Sequence, residues 1–356
     1  LSMHIIQVSE SRIHQVDFKN LNFGEQFTDH MMICHYREGA WQTPEILPYG
    51  PLTISPSMSA LHYGQAVFEG MKAFKDNQGG VWLFRPEENF HRLNKSAKRL
   101  CIPEFPEDYF FNGLETLLNL DQEWIKPGIG NSLYVRPFCY ASQAGVQASA
   151  SKEYTFIIIC APVRAYYSGE LNVLIAEHYS RAASGGVGFA KAAGNYAAQF
   201  YPTALALEKG YHQIIWTDAK SHQYLEEAGT MNIFFRINDT LVTAPISDRI
   251  LDGITRKSVI DIAKSLAIRV EERQISVDEL LSAYNDHSLK EIFGSGTAVV
   301  ISPINSFGYK DKRYELDKID DSVAELLKTK ITSIQYNQSE DPFGWRRAVP
   351  SMALSK

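Results

Sequence analysis

Apolar residues recur along the chain at two spacings, every second residue or every third to fourth, and each switch marks a new element. GMKAFKDNQGGVWLFR (Gly70 to Arg85) sets two short apolar runs on either side of an Asn/Gly-rich turn, the pattern of a β-hairpin. In PEENFHRLNKSAKRLCI, which follows, Phe90, Leu93, Ala97 and Leu100 fall near one face with Lys and Arg opposite, which predicts an amphipathic helix. NSLYVRPFCYAS and YTFIIICAPV read as strands, and VRAYYSGE (Val163 to Glu170) breaks the pattern as a connector. Beyond it, LNVLIAEHYS and HQIIWTDA are strands flanking a helix expected over Asn195 to Glu208 and stopped by Gly210. MNIFFRINDTLVTAP is a hairpin turning at Asn238-Asp239. GITRKSVIDIAKSLAI carries Val259, Ile262, Ala263 and Leu266 at helical core spacing, and Ser276 with Glu279 forms a capping box that opens another helix. LKEIFGSGTAVVISPI is a strand broken by a glycine turn, and no stretch of the chain repeats. These elements predict two mixed α/β domains with much antiparallel pairing: 1–163, a connector 164–176, and 177–356.

Composition excludes more than it adds. Of 356 residues, 45% are hydrophobic and 21% charged, which describes an ordinary globular chain long enough for a large core. A formal net charge of -6 argues against a nucleic-acid partner. The longest apolar run, Tyr154 to Val163, falls far short of the ~20 residues that cross a membrane, so no membrane partner is expected. LSMHIIQVSESR lacks a basic start before an apolar core, so no secretory leader is expected. Cys34, Cys101, Cys139 and Cys160 show no CxxC spacing, which favours reduced thiols in a cytoplasmic protein and no metal framework.

The candidate chemistry begins with GGVGFAKAAGNYAAQ (Gly185 to Gln199), where Gly and Ala crowd around Lys191. A solvated loop would read the same way. DGITRKS (Asp252 to Ser258) and GSGTAVV (Gly294 to Val300) set backbone N–H groups and the Thr255 and Thr297 hydroxyls at turns suited to a phosphate. Neither completes a P-loop or a GxGxxG fingerprint, and each by itself reads equally as an ordinary turn. EEAGTMNIFF (Glu226 to Phe235) adds a carboxylate just before a tight turn. Together, an amine, an acid and two phosphate-competent turns are the parts of a pyridoxal phosphate site.

FTDHM, LHYGQAVFEGMKAF, LFRPEENFHRL, SLYVRP, GGVGFAKAAGNY, EAGTMNIFF, LDGITRKS and EIFGSGTA follow one another over most of the chain. As a set they resemble the class IV, fold type IV pyridoxal phosphate aminotransferases, and within these the branched-chain amino acid aminotransferases. The resemblance implies an α/β fold with a smaller N-terminal α/β sandwich domain and a larger C-terminal domain containing a pseudo-barrel of strands. It also implies pyridoxal 5'-phosphate as cofactor, at least a homodimer, and reversible amino transfer between leucine, isoleucine or valine and 2-oxoglutarate. D-amino acid aminotransferases and aminodeoxychorismate lyases share the fold, but YGQAVFEGMKAF and EAGTMN favour the branched-chain group. A noncatalytic pyridoxal phosphate binder is the alternative of another class.

By the same resemblance, Lys191 is the Schiff-base lysine and the base that moves the substrate's α-proton. Tyr196 matches the tyrosine on the cofactor's phenolic oxygen, and Glu227, rather than Glu226, the acid on its ring nitrogen. Arg92, Ile254, Thr255 and Thr297 match the phosphate cradle. Phe23, Tyr63, Phe68, Tyr134 and Tyr166 match the substrate pocket, with Tyr63 reaching across a dimer interface. Arg136 is expected to meet the distal carboxylate of glutamate, and the N–H groups of Thr297 and Ala298 the α-carboxylate. Arg181 matches a family arginine without an assigned role. Mammalian members carry a CxxC after GSGTA; Val299 and Ser302 stand there instead, so no thiol switch is expected.

Overall fold

The computed structural model describes residues 3–165 and 169–352. The chain forms two compact units: Leu1–Ala165, Ala190–Gly194 and Ser333–Lys356 make the first, Tyr166–Phe189 and Asn195–Thr332 the second. The division runs through the lysine loop, between Phe189 and Ala190.

The first unit is built on a ten-stranded sheet whose main path runs His4–Ile5, Glu45–Pro48, His30–Arg37, Tyr154–Arg164, Asn131–Ala141, Met71–Lys75, Val81–Phe84, Arg346–Ala348. The two 11-residue strands Asn131–Ala141 and Tyr154–Arg164 pair antiparallel over their whole length and form its spine. The expected Gly70–Arg85 hairpin is present as Met71–Lys75 against Val81–Phe84. Helix Pro86–Arg99 buries Phe90, Leu93 and Ala97, and Glu107–Leu120 buries Phe110, Leu114 and Leu117. These side chains share one core with Leu133, Val135, Phe156 and Ile158. Side chains alternate across a strand, so with Leu133 and Val135 in that core, Tyr134 and Arg136 project from the opposite face. The C-terminal stretch joins this unit because Arg346–Ala348 pairs with Val81–Phe84 and Arg347 reaches Glu87 and Glu115, both at 2.8 Å.

The second unit carries another ten-stranded sheet, with path Arg269–Glu272, Thr240–Thr243, Met231–Ile237, Leu225–Ala228, Gln213–Thr217, Asn172–Ile175, Ser306–Tyr309, Lys312–Glu315. Leu289–Gly296 pairs with both Met231–Ile237 and Val300–Pro303. The predicted hairpin turns at Asn238, which takes the left-handed φ of 51° that a tight two-residue turn needs. Only half of the expected capping box forms: the Ser276 hydroxyl accepts from Glu279 N at 3.0 Å at the start of Val277–Asn285, while the Glu279 carboxylate turns to Arg273 at 2.7 and 3.0 Å. One expectation is corrected. The single helix predicted over Asn195–Glu208 is two, Ala193–Ala197 and Phe200–Glu208. In an unbroken helix Pro202 would owe an N–H to Ala198; restarting at Phe200 puts proline in a first turn, where no N–H is required.

Candidate active site

In the first unit, the strand Ala66–Phe68 takes up the lysine segment as if it were another strand. Phe68 N donates to Lys191 O at 3.1 Å, Val67 and Ala192 form an antiparallel bridge, and Lys191 N donates to the Ser96 hydroxyl at 2.8 Å. The backbone on both sides of the amine is therefore held, and Lys191 Nζ lies 4.8 Å from the centre of the Phe68 ring. Burial, then the nearby Arg92 charge, push the amine down to about 8, against an opposing pull from Glu69. A free lysine stays protonated well above neutrality, so this shift brings its proton within reach of acid–base work near pH 7.

Arg136 lies over the same ring, its guanidinium carbon 4.4 Å from the Phe68 centroid, and donates to the Tyr134 hydroxyl at 2.9 Å. Its Nε is buried and has no hydrogen-bond partner among the described residues. Phe23 packs edge-on against Tyr134, centroids 4.9 Å apart. Phe23, Phe68, Tyr134, Arg136 and Lys191 thus form one cluster of aromatic walls around two cations. Gly70 makes it possible, because a Cβ there would collide with the Tyr134 hydroxyl. Arg92 is buried, not a surface charge, and grips Glu69 through Nε at 2.7 Å and a terminal nitrogen at 2.9 Å. Tyr63 stands apart, half exposed, with its hydroxyl donating to Val146 O at 2.5 Å. Tyr166 lies outside the described residues.

The second unit holds the acid. Strand Leu225–Ala228 is buried along its whole length, so Glu226 and Glu227 are both withdrawn from water on opposite faces. Glu227 accepts from Arg181 Nε at 2.8 Å, Leu251 N at 2.9 Å and Asn232 Nδ2 at 3.2 Å. Arg181 spends its other nitrogens on Arg249 O and Gly188 O, which orients its fork toward Glu227. Glu226 pairs instead with Arg249 Nε at 2.5 Å, while its second oxygen is buried without a partner among the described residues. Burial raises the Glu226 carboxyl above its ordinary value, with Arg249 opposing.

Beside Glu227 lies the helix start that carries two of the expected phosphate residues. Asn232 pairs across the sheet with Glu227, and a Cβ on Gly253 would strike its side-chain oxygen. Gly253 caps helix Ile254–Ser265, whose first residues, Ile254 and Thr255, are buried. Thr297 and Ala298 form the turn between Leu289–Gly296 and Val300–Pro303. That turn closes on Val300 at φ 61°, a left-handed conformation that a β-branched residue takes only under strain. Tyr196 is half buried on helix Ala193–Ala197.

The description of the class IV amino-transferases matches residues 66–307. The chain is 44% identical over 351 residues to a probable branched-chain-amino-acid aminotransferase of Staphylococcus aureus, covering 97% of this chain and 98% of the relative. The chain belongs to the class IV amino-transferases. The branched-chain amino acid aminotransferase from Escherichia coli superposes at TM-score 0.72 and 26% identity, over 90% of this chain and 99% of that one. The enzyme from Thermobaculum terrenum, solved in its pyridoxal phosphate form, shares the fold at TM-score 0.72 and 21% identity, over 90% and 98%.

Class IV amino-transferases depend on pyridoxal phosphate, and the residues present fit that group. The first unit carries a lysine with a depressed pKa and an arginine N–H buried without a partner among the described residues; the second carries a carboxylate held by three donors and a glycine-capped helix start beside it. Two residues that hold candidate groups in place, one in each unit, carried no expectation in the sequence. Glu69, which grips Arg92, lies within the LHYGQAVFEGMKAF motif, and an acid between Phe68 and Gly70 in an apolar run is its signal. Asn232 carries no signal, because its bond to Glu227 arises only when their strands pair.

Proposed function

We propose that the protein is a branched-chain amino acid aminotransferase that exchanges the amino group of leucine, isoleucine or valine with 2-oxoglutarate. The observation that carries this reading is the first-unit cluster: Lys191 beside Phe68, with Arg136 over the same ring and Phe23 against Tyr134. Pyridoxal phosphate, when bound, supplies the electron sink that makes the substrate's α-hydrogen acidic. Lys191 holds the cofactor and moves that proton, helped by a pKa that lies near 8. Glu227, gripped by Arg181, Leu251 N and Asn232, holds a proton on the ring nitrogen. Tyr196 bonds the phenolic oxygen, and Arg92, Ile254, Thr255 and Thr297 hold the phosphate.

Phe23, Tyr63, Phe68, Tyr134 and Tyr166 supply apolar area for a branched side chain, while Thr297 and Ala298 N–H groups bind the α-carboxylate. The buried Arg136 Nε provides a donor for the second carboxylate of glutamate. The enzyme is at least a homodimer, supported by the exposed apolar side chains of Tyr63 and Val146, joined through the Tyr63 hydroxyl and Val146 O, and of Leu61 on the same helix as Tyr63. It acts in the cytoplasm, which suits four free cysteines, and its domains follow the chain as 1–163 and 177–356 joined by 164–176, except that 190–194 and 333–356 pack with the first. Adding leucine to the holoenzyme should bleach the bound cofactor's visible band, and D-alanine and aminodeoxychorismate should not. A response to D-alanine alone would assign the chain to the D-amino acid enzymes.

A further inference from the structure

Glu69 is the deepest charge around the lysine, with 0% of its surface exposed. Its backbone is fixed on both sides: Phe68 N donates to Lys191 O, Glu69 N donates to Pro137 O at 2.7 Å, and Asn89 Nδ2 donates to Gly70 O at 3.1 Å. Its two oxygens receive the Arg92 fork at 2.7 and 2.9 Å, and Asn89 Nδ2 adds a bond at 2.8 Å. Burial opposes ionisation here, yet Arg92, Lys191 and Asn89 outweigh it and hold the carboxyl below its ordinary value. Desolvation cancels much of the attraction within a buried ion pair, so such a pair adds little stability by itself. Its physical consequence is direction. A bidentate fork fixes the guanidinium plane, leaving the remaining N–H groups a single orientation.

The charged and titratable groups facing Lys191 come from three elements: Arg92 from helix Pro86–Arg99, Glu69 from the turn after Ala66–Phe68, and Tyr134 and Arg136 from Asn131–Ala141. Two of these are fixed cations and Glu69 is the carboxylate that offsets them. We infer that Glu69 is a positioning residue with two tasks: it aims Arg92 at the cofactor's phosphate, and it supplies the negative charge that balances Arg92 beside the Lys191 amine. This rests on the roles proposed above for Lys191 and Arg92.

Glu69→Gln keeps the shape and removes the charge, so the two tasks can be read separately in the holoenzyme. Cofactor loss on dialysis should accelerate by at least about tenfold, as expected when a phosphate-binding arginine loses its aim. The pH midpoint of the bound cofactor's visible band should fall by about one unit, because Arg92 and Arg136 then face Lys191 unopposed. Glu69→Asp, which retains the charge, should hold the midpoint near that of the unmodified protein. A lowered melting temperature with an unchanged midpoint and unchanged cofactor loss would overturn the inference and leave Glu69 structural. Borohydride reduction and peptide mapping separate the two claims: label on a lysine other than 191 refutes the proposed site itself. If Glu69→Gln does not fold, E69Q/R92Q is titrated against R92Q. The midpoint must then lie lower in the double variant, and equal midpoints refute the inference.

Discussion

Glu226 and Glu227 are neighbours on one strand, both buried, and Glu→Gln at each should give opposite results. At Glu227 the carboxylate takes Arg181 on one oxygen and Leu251 N with Asn232 on the other. An amide can keep the second set only by turning its NH2 group toward Arg181 Nε, donor against donor. Arg181 is then a buried cation without its counter-ion, its side chain only 5% exposed. Breaking a buried pair in this way costs about 3–5 kcal/mol. For a unit of this size that is a fall of about 6–20 °C in melting temperature. At Glu226 the balance differs. Its folded carboxyl is raised by burial, so the folded state holds that proton more tightly than the unfolded one, and ionisation at neutral pH costs stability. Glutamine removes that cost and still offers an oxygen to Arg249, which is itself 22% exposed. Glu226→Gln should therefore stay within about 1 kcal/mol of the parent. Urea unfolding of the two variants at pH 7, with kcat for leucine measured alongside, reads the difference. Glu227→Gln should also lower kcat, since a neutral amide cannot keep the ring nitrogen protonated. Equal losses of stability would refute the assignment of the ion pairs, and equal losses of rate the choice of Glu227.

Lys191→Ala should stop multiple turnover, the lost proton transfer alone accounting for about 10²–10⁴-fold, as measured by steady-state assay with leucine and 2-oxoglutarate. In the cofactor-free protein Lys191 binds its proton less tightly when folded, about 8 against 10.5, so its contribution to stability should rise between those pH values. Urea midpoints across that window test this, and the rise should shrink in Lys191→Ala. Arg136→Met should spare the leucine half-reaction and slow that of 2-oxoglutarate by well over tenfold in kcat/KM, because methionine offers apolar surface but no partner for a second carboxylate. Single-turnover spectra separate the two halves, and parallel losses would give Arg136 a structural role at Tyr134. Gly70→Ala should displace Tyr134, since the new Cβ would collide with its hydroxyl, and should raise KM for leucine with the fold retained by circular dichroism.

What the sequence determined by itself was local, or carried by a set of motifs in order. The Gly70–Arg85 hairpin, the Asn238 turn and the Ser276–Glu279 cap each depend on residues within a few positions of one another, so short-range sterics and hydrogen bonding suffice. The motif series from FTDHM to GSGTA was specific enough to carry the family, and with it the cofactor, before any coordinates. Even local reading failed at Asn195–Glu208, where the apolar pattern ran on through Pro202 but the backbone did not.

Tertiary structure alone decided which charge meets which. Among 35 basic and 41 acidic residues, nothing in linear order matches Arg92 to Glu69, or Arg181 to Glu227 and Arg249 to Glu226. It also decided that the lysine segment binds along Ala66–Phe68, so that Lys191 sits over Phe68 with a pKa near 8. Ion pairs and desolvation depend on distance and on exclusion of water. Both are set by how strands register and helices cover them, and neither has a short-range code in the chain.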